Sequence, residues 1–92
     1  MVRTALKQAE FTIETYTGPA SYIPGGFTVT TVVGPTVLSY AYVIQTGNGF
    51  DSFVKGFTGN SMTIQVFTSG NTEVASGSNL TTVTFTVLEF GK

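Results

Sequence analysis

The stretch LTTVTFTVLEF, residues 80–90, alternates apolar residues with threonines along most of its length. Successive side chains of a β-strand point to opposite faces of a sheet, so this period of two predicts a strand that is buried on one side. The same alternation occurs in AEFTIETY (9–16) and in NSMTIQVFT (60–68). Thr, Val, Phe and Gly dominate the composition, and they are typical of strands joined by tight turns. The sequence therefore predicts an all-β protein.

Turn signals separate the strand-like runs at short intervals. Gly and Asn adopt the positive φ angles that tight turns need, and Pro pre-sets φ. Pro24-Gly25-Gly26 is a turn rather than a phosphate-binding loop, because the strand-like FTVTTVV (27–33) follows it where such a loop needs a helix. We expect a compact β-sandwich or jelly-roll-like barrel of about six to eight short antiparallel strands. The predicted core residues are Phe11, Ile13, Phe27, Val29, Val43, Met62, Ile64, Val66, Val83, Phe85 and Val87.

The N-terminal segment MVRTALKQAE differs from the rest in composition, because Ala, Leu, Lys and Gln favour a helix whereas the remainder favours strands. We expect residues 1–9 to form a short arm and residues 10–92 to form a single β domain. Arg3 and Lys7 are two of the four basic residues, and Leu6 adds an apolar side chain beside them. We therefore expect the arm to order on a neighbouring molecule, either an adjacent subunit or another partner, through Arg3, Leu6 and Lys7. The alternative is a frayed end without a partner.

The chain has no Cys and no His, which removes disulfides, the commonest metal ligand and the usual base for a Ser or Thr nucleophile. Glu10 and Glu14 lie at even spacing on one predicted strand, and we expect both to face solvent. Asp51 and Lys55 are expected to form a surface ion pair, and Asp51 alone does not supply the ligands that calcium needs. We expect no enzyme activity, no catalytic residue, no cofactor and no metal site.

Charge limits the possible partners. Four basic residues and a net charge of −1 give no electrostatic basis for binding nucleic acid. No apolar run approaches the roughly 20 residues of a membrane helix, and the first residues lack the apolar core of a secretory signal. We expect a chain made in the cytoplasm, with no nucleic-acid or membrane partner. No charge lies between residues 15 and 50, which favours a surface partly covered by other chains over one kept soluble by hydroxyls alone.

The run TVLSYAYVIQT (36–46) carries large apolar residues on both predicted faces. A domain of this size does not cover both faces of such a strand, so we expect a neighbouring subunit to cover one. The protein is therefore expected to be a homo-oligomer, with a trimer favoured. The two faces are Val37, Ala41 and Val43 on one side and Leu38, Tyr40, Tyr42 and Ile44 on the other.

Other aromatic residues are further candidates for binding. Phe50, Phe53 and Phe57 follow one another at short spacing and are candidates to anchor an interface, while packing in the core is the alternative for each of them. Together with Leu38, Tyr40 and Tyr42 and the arm residues, they complete the predicted interface. The alternative is a sugar-binding surface on which tyrosines stack, and its candidates are Tyr16, Tyr22, Tyr40 and Tyr42.

Three segments resemble a group of small bacteriophage virion proteins. GPASYIPGGFTVTT (18–31) is similar to their early SY-x-x-GG segment, which leads into a strand. NSMTIQVFTSGN (60–71) is similar to their later strand, which ends in a polar hairpin. EVASGSNLTTVTFTVLEFGK (73–92) is similar to their ending, where a Gly-bearing loop, a Leu and an alternating Val/Thr strand precede a final Gly beside a basic residue. The three segments cover about half of the chain.

The resemblance implies an all-β structural subunit that works in many copies on a particle. It implies a virion protein, above all a capsid decoration (cement) protein that binds the assembled head, with the capsid protein as its partner and the virion as its location. A tail or head-fibre component is the alternative within the same group. A carbohydrate-binding, lectin-like module is the alternative that the tyrosines suggest.

Overall fold

The computed structural model describes residues 11–92, which form six β-strands and contain no helix. The predicted all-β class is therefore confirmed for this part of the chain, while the predicted arm (1–9) and Glu10 lie outside the described residues. Within residues 11–92 no helix is long and apolar enough to cross a membrane. The strands are β1 (Phe11–Thr17), β2 (Phe27–Thr30), β3 (Leu38–Thr46), β4 (Asp51–Thr58), β5 (Ser61–Phe67) and β6 (Thr84–Gly91).

The strands make two antiparallel three-stranded sheets. In the 1-6-3 sheet, β6 lies between β1 and β3, and in the 2-5-4 sheet, β5 lies between β2 and β4. The two central strands have the clearest alternation in the sequence, and their predicted inward residues are all buried: Met62, Ile64 and Val66 of β5, and Phe85 and Val87 of β6. These residues belong to one hydrophobic cluster that both sheets share.

Side chains from β2 and from the loops complete this core. The ring of Phe27 lies edge-to-face against that of Phe85, with centroids 5.2 Å apart, and Val29 is half-buried against the same cluster. Val43 and Val83 are buried as predicted. Five further core residues were not among those predicted: Tyr22, Leu38, Ala41, Val74 and Leu80.

The predicted turns are confirmed where a positive φ is needed. Gly25 and Gly26 have φ angles of 105° and 120°, and the N–H of Gly26 donates to the carbonyl of Ile23 at 3.1 Å. Gly26 also packs against β5, because a Cβ there would lie 2.8 Å from the carbonyl oxygen of Ile64. Pro24-Gly25-Gly26 is therefore a turn that brings β2 against β5.

The orientation predicted for β1 is wrong. Phe11 and Ile13, which were placed in the core, are 57% and 53% exposed, whereas Glu14, which was expected to face solvent, is buried. The strand has the predicted period of two but the opposite phase. The physical reason is that backbone N–H groups of a distant loop satisfy the Glu14 carboxylate, so burying it does not leave a bare charge.

The alternation predicted along β3 is interrupted by two bulges. The register against β6 shifts between Leu38 and Tyr40 and again between Val43 and Gln45. An extra residue in one strand reverses the facing of the residues beyond it, because the side-chain period is two. Leu38 therefore lies in the core together with Ala41 and Val43, rather than on the face with Tyr40.

Candidate functional site

The outer face of the 1-6-3 sheet carries two rows of apolar side chains that cross all three strands. In the first row the ring centroids of Phe11 and Phe90 are 6.1 Å apart, and those of Phe90 and Tyr40 are 6.3 Å apart. In the second row Ile13 and Tyr42 both stand opposite Leu88 in the strand register. We call these six residues the apolar ladder: Phe11, Phe90, Tyr40, Ile13, Leu88 and Tyr42.

The apolar ladder is open to solvent. Its four outer members, Phe11, Ile13, Tyr40 and Tyr42, are each between 51% and 57% exposed, and Ile44 beside them is 46% exposed. At roughly 200 Å² for each large side chain, these five half-exposed residues leave about 500 Å² of apolar surface. Patches of this size are the largest that monomers usually show and are often functional. No ladder residue is charged, so a partner surface that fits it is apolar.

The remaining predicted interface aromatics lie elsewhere. Phe53 and Phe57 belong to β4 of the 2-5-4 sheet and are 45% and 37% exposed, and the Phe53 ring stacks on Phe67 with centroids 5.6 Å apart. Phe50 is half-buried against the core. Leu38 is a core residue. Of the predicted aromatic and aliphatic candidates within residues 11–92, the structure therefore brings only Tyr40 and Tyr42 together on one open face.

The N-terminal candidates Arg3, Leu6 and Lys7 lie outside the described residues. Lys55, predicted to pair with Asp51, has its Nζ 3.5 Å from the carbonyl oxygen of Gly25 instead. In residues 11–92 no group of three or more Asp, Glu, His or Cys side chains is placed to hold a metal ion.

A second polar cluster surrounds Tyr22, which was a candidate for stacking on sugars. Tyr22 is wholly buried, so that role is ruled out for it. Its hydroxyl donates to Glu73 Oε2 at 2.8 Å and accepts from the N–H of Val66 at 3.0 Å. Glu73 Oε2 also accepts from the N–H of Gly25 at 2.6 Å and from Gln65 at 3.1 Å. The cluster joins the turn before β2 to β5 and to the loop after it.

The Gly25 N–H and the Tyr22 hydroxyl lower the pKa of Glu73, which therefore remains ionised. Burial, together with the neighbouring Glu73 carboxylate, raises the pKa of Tyr22 to about 12. The phenol is neutral at ordinary pH and keeps its proton for donation to Glu73. Both protonation states fit a structural role, because each group has the partner that its charge state requires.

A pair of carboxyl groups lies beneath the opposite face of β1. Glu89 of β6 is completely buried and Glu14 of β1 is 7% exposed. The two side chains stand near one another across the β1–β6 pair, and both approach Gly34. The hydroxyl of Tyr16 donates to Glu89 Oε2. Glu14 in turn accepts from the N–H groups of residues 32–34.

The two carboxyls have opposite pKa shifts. Burial, together with the nearby Glu14 charge, raises the pKa of Glu89 to about 7, although the Tyr16 hydroxyl acts in the other direction. Burial alone raises the pKa of Glu14 as well, but hydrogen bonds from Glu89 and from the three backbone N–H groups outweigh it and lower that pKa. Below about pH 7 the pair therefore shares one proton, which Glu89 carries.

Catalysis by this pair is not supported by its surroundings. Two carboxyls with separated pKa values are the usual equipment of a glycosidase or an aspartic protease. Here a substrate does not reach either group, because Glu89 has no exposed surface and Glu14 almost none. One surface depression is formed by Thr12, Val33, Pro35, Thr36 and neighbouring residues, and neither carboxyl lines it. The pair is therefore a structural element with a titratable proton.

Part of this arrangement has a signal in the sequence. The alternation of Val83, Phe85 and Val87 continues to Glu89, so a strict period of two already places that carboxyl inside. Leu88 and Phe90 alternate with it on the outer face. No comparable signal exists for Glu14, because its partners lie in a loop far along the chain.

Comparisons with family models, with curated proteins and with solved structures give no match to the chain.

Proposed function

We propose that this protein is a virion structural protein, and specifically a capsid decoration protein that binds the assembled head in many copies through the apolar ladder. The observation that carries the proposal is the ladder itself: a charge-free apolar face crossing three strands of a small domain. The resemblance of three segments to small phage virion proteins supports the same function. The occupant of the ladder in this proposal is an apolar surface of the capsid protein.

The size of the ladder fits binding in many copies. A standard interface takes about 800 Å² from each partner, so about 500 Å² is a small contact. Burying it contributes roughly 12 kcal/mol at about 25 cal/mol per Å². Association costs an estimated ~4–15 kcal/mol, so a single copy binds weakly. On a symmetric lattice a linked assembly gains avidity without any new contact, and this is the advantage of a decoration protein that self-associates.

The proposal includes a fold and an oligomeric state. In it the two sheets form a β-sandwich, since they share one core and have separate strand orders. The subunits form a homo-oligomer, a trimer first, and the virion is their location. A tail or head-fibre part would use the same surface. A lectin would not need the ladder to be free of charge.

Co-sedimentation with assembled capsids of the phage that encodes the chain tests the proposal. Wild-type protein is expected to sediment with capsids and to saturate. Tyr42→Glu places a charge in the centre of the ladder and is expected to abolish sedimentation. Phe53→Glu is the matched control, because Phe53 is an aromatic residue of similar exposure on the other sheet, and it is expected to bind normally.

Several outcomes would contradict the proposal. If the wild-type protein ignores capsids but is retained on a glycan array, it is a lectin-like module. If it co-purifies with tails or head fibres, the decoration role is wrong and the virion role stands. If Phe53→Glu loses binding and Tyr42→Glu keeps it, the ladder is not the attachment surface. Circular dichroism of both variants checks that each is folded.

A further inference from the structure

We propose that Glu14 and Glu89 form a single-proton latch, which holds residues 32–34 against the 1-6-3 sheet and releases them when the shared proton is lost. This inference does not depend on the proposed function. It rests on the arrangement of hydrogen bonds around two buried carboxyl groups and on the exposed side chains of the segment that they hold.

The Glu14 carboxylate holds residues 32–34 in place. Val32 and Val33 are 84% and 78% exposed, so their side chains do not anchor it. Their backbones do: the N–H groups of Val32, Val33 and Gly34 donate to the Glu14 carboxylate at 3.1, 3.3 and 2.9 Å. Outside this stretch the chain is fixed independently, since the N–H of Thr31 donates to the carbonyl of Asn60 at 2.9 Å.

Glu89 needs its proton. Among the described residues no N–H or O–H group donates to its buried Oε1. A Cβ on Gly34 would collide with this oxygen and would lie 2.6 Å from Glu14 Oε1, so both carboxyls converge on the same glycine. A protonated Glu89 donates its O–H to Glu14, which satisfies both groups. An ionised Glu89 leaves two buried carboxylates facing each other.

No cation compensates the second charge within the described part of the chain. From β1 the titratable groups that act on Glu89 are Glu14 and Tyr16. Neither β3 nor residues 31–36 contain a charged residue, and β6 contains Glu89 alone. Lys92 follows β6 beside residues 33–36 but is not among the groups that act on Glu89. Burial raises the pKa of Tyr16 above its ordinary value, and the hydrogen bond to Glu89 adds to this, so the phenol stays neutral. The extra charge is relieved only by separating the carboxyls or by admitting water.

The sign of the effect follows from the two pKa shifts. Folding raises the pKa of Glu89 from 4.5 to about 7, so its contribution to stability is complete below pH 4.5 and is lost as the pH rises to about 7. Folding lowers the pKa of Glu14, so its contribution is present above 4.5 and is lost in more acidic solution. The latch is therefore held most strongly in mildly acidic solution, and the contribution of the Glu89 proton is lost once the pH reaches about 7.

Hydrogen exchange of the Val32, Val33 and Gly34 amides, measured by NMR from pH 5 to pH 8.5, tests the latch. After correction for the intrinsic exchange rate, their protection is expected to fall by up to about tenfold for each pH unit as the pH rises towards about 7 and to be level above that pH. In Glu89→Gln the carboxamide donates to Glu14 at every pH, so protection is expected to persist to pH 8.5. Glu73→Gln is the matched control, and it is expected to keep the wild-type profile.

The inference is overturned if protection of the three amides in the wild-type protein does not change with pH. It is also overturned if Glu89→Gln shows the same loss of protection as wild type. Should Glu89→Gln fail to fold, carboxyl-carbon NMR of the wild-type protein decides. One Glu that titrates near pH 7, together with the amide shifts of residues 32–34, supports the latch, and titration of every Glu below about pH 5 overturns it.

Discussion

Removing the hydroxyl of Tyr22 tests whether the buried polar cluster holds the turn before β2 in place. The side chain is wholly buried, and its ring lies edge-to-face against Phe27 with centroids 6.4 Å apart. Tyr22→Phe keeps the ring and its packing. It removes only one oxygen, which bonds Glu73 at 2.8 Å and the N–H of Val66 at 3.0 Å.

The main cost of Tyr22→Phe comes from Val66. Its N–H donates to the Tyr22 hydroxyl in the core, and the substitution leaves that donor without an acceptor. An unsatisfied buried donor costs about 1–3 kcal/mol. For a domain of this length, 1 kcal/mol corresponds to about 4–8 °C in Tm, so a decrease of roughly 5–20 °C is expected. Glu73 keeps its bonds from Gly25 and Gln65 and adds less to the loss.

Urea unfolding followed by tyrosine fluorescence or circular dichroism measures the change at pH 5.5 and at pH 7. Tyr42→Phe is the matched control, because it removes a hydroxyl from an exposed residue and is expected to change the free energy of unfolding by less than about 0.5 kcal/mol. If Tyr22→Phe were as stable as the control, the Val66 N–H would not depend on this hydroxyl. The account of the cluster would then be wrong.

Three further predictions concern other parts of the molecule. Gly91→Ala is expected to cost about 1–3 kcal/mol, because its Cβ would collide with the carbonyl oxygen of Val37, whereas Gly70→Ala meets nothing within 4 Å and should be neutral in a thermal melt. Deletion of residues 1–8 is expected to leave Tm nearly unchanged and to weaken attachment to capsids. If the truncated protein binds capsids with full affinity, the arm takes no part in attachment. Light scattering at tens of micromolar is expected to give an oligomer for wild type, and a monomeric wild type would contradict self-association away from the particle.

The all-β class and the central strands were predictable because their signal is local. From Met62 to Val66 and from Val83 to Val87 every second residue is apolar and the residues between them are Thr or Gln, so only one phase buries the apolar set. The turns at Gly25 and Gly26 were predictable for the same reason, since they depend on φ at single residues. These features require no knowledge of which strands are neighbours.

The facing of β1 was not predictable in this way. Hydrophobicity favours Phe11 and Ile13 as its inward residues, but the structure buries Glu14 instead. The burial of Glu14 depends on N–H groups 18 to 20 residues further along the chain and on the proton of Glu89. A pattern within one strand contains no information on such partners.

The apolar ladder was predicted only in part. Tyr40 and Tyr42 were recognised from the second apolar face of their own strand. Phe11, Ile13 and Phe90 join them because β6 pairs with β1 on one side and with β3 on the other. That strand order arises from packing of the whole domain, so the continuous face appears only once the sheet is assembled.

The bulge between Leu38 and Tyr40 in β3 determines which side chains this part of the strand presents to solvent. Ser39 is the extra residue between Leu38 and Tyr40 where β3 pairs with β6. If Ser39 were paired in register, Leu38 and Tyr40 would face the same side of the sheet, because residues two apart in a regular strand share a face. Loss of the codon for Ser39 would instead keep Leu38 inside and Tyr40 outside, because adjacent residues of a regular strand face opposite sides. In a lineage of related chains, loss of the codon for Ser39 would therefore be tolerated better than loss of the codon for Ala41, which would place Tyr40 and Tyr42 on opposite faces of the sheet.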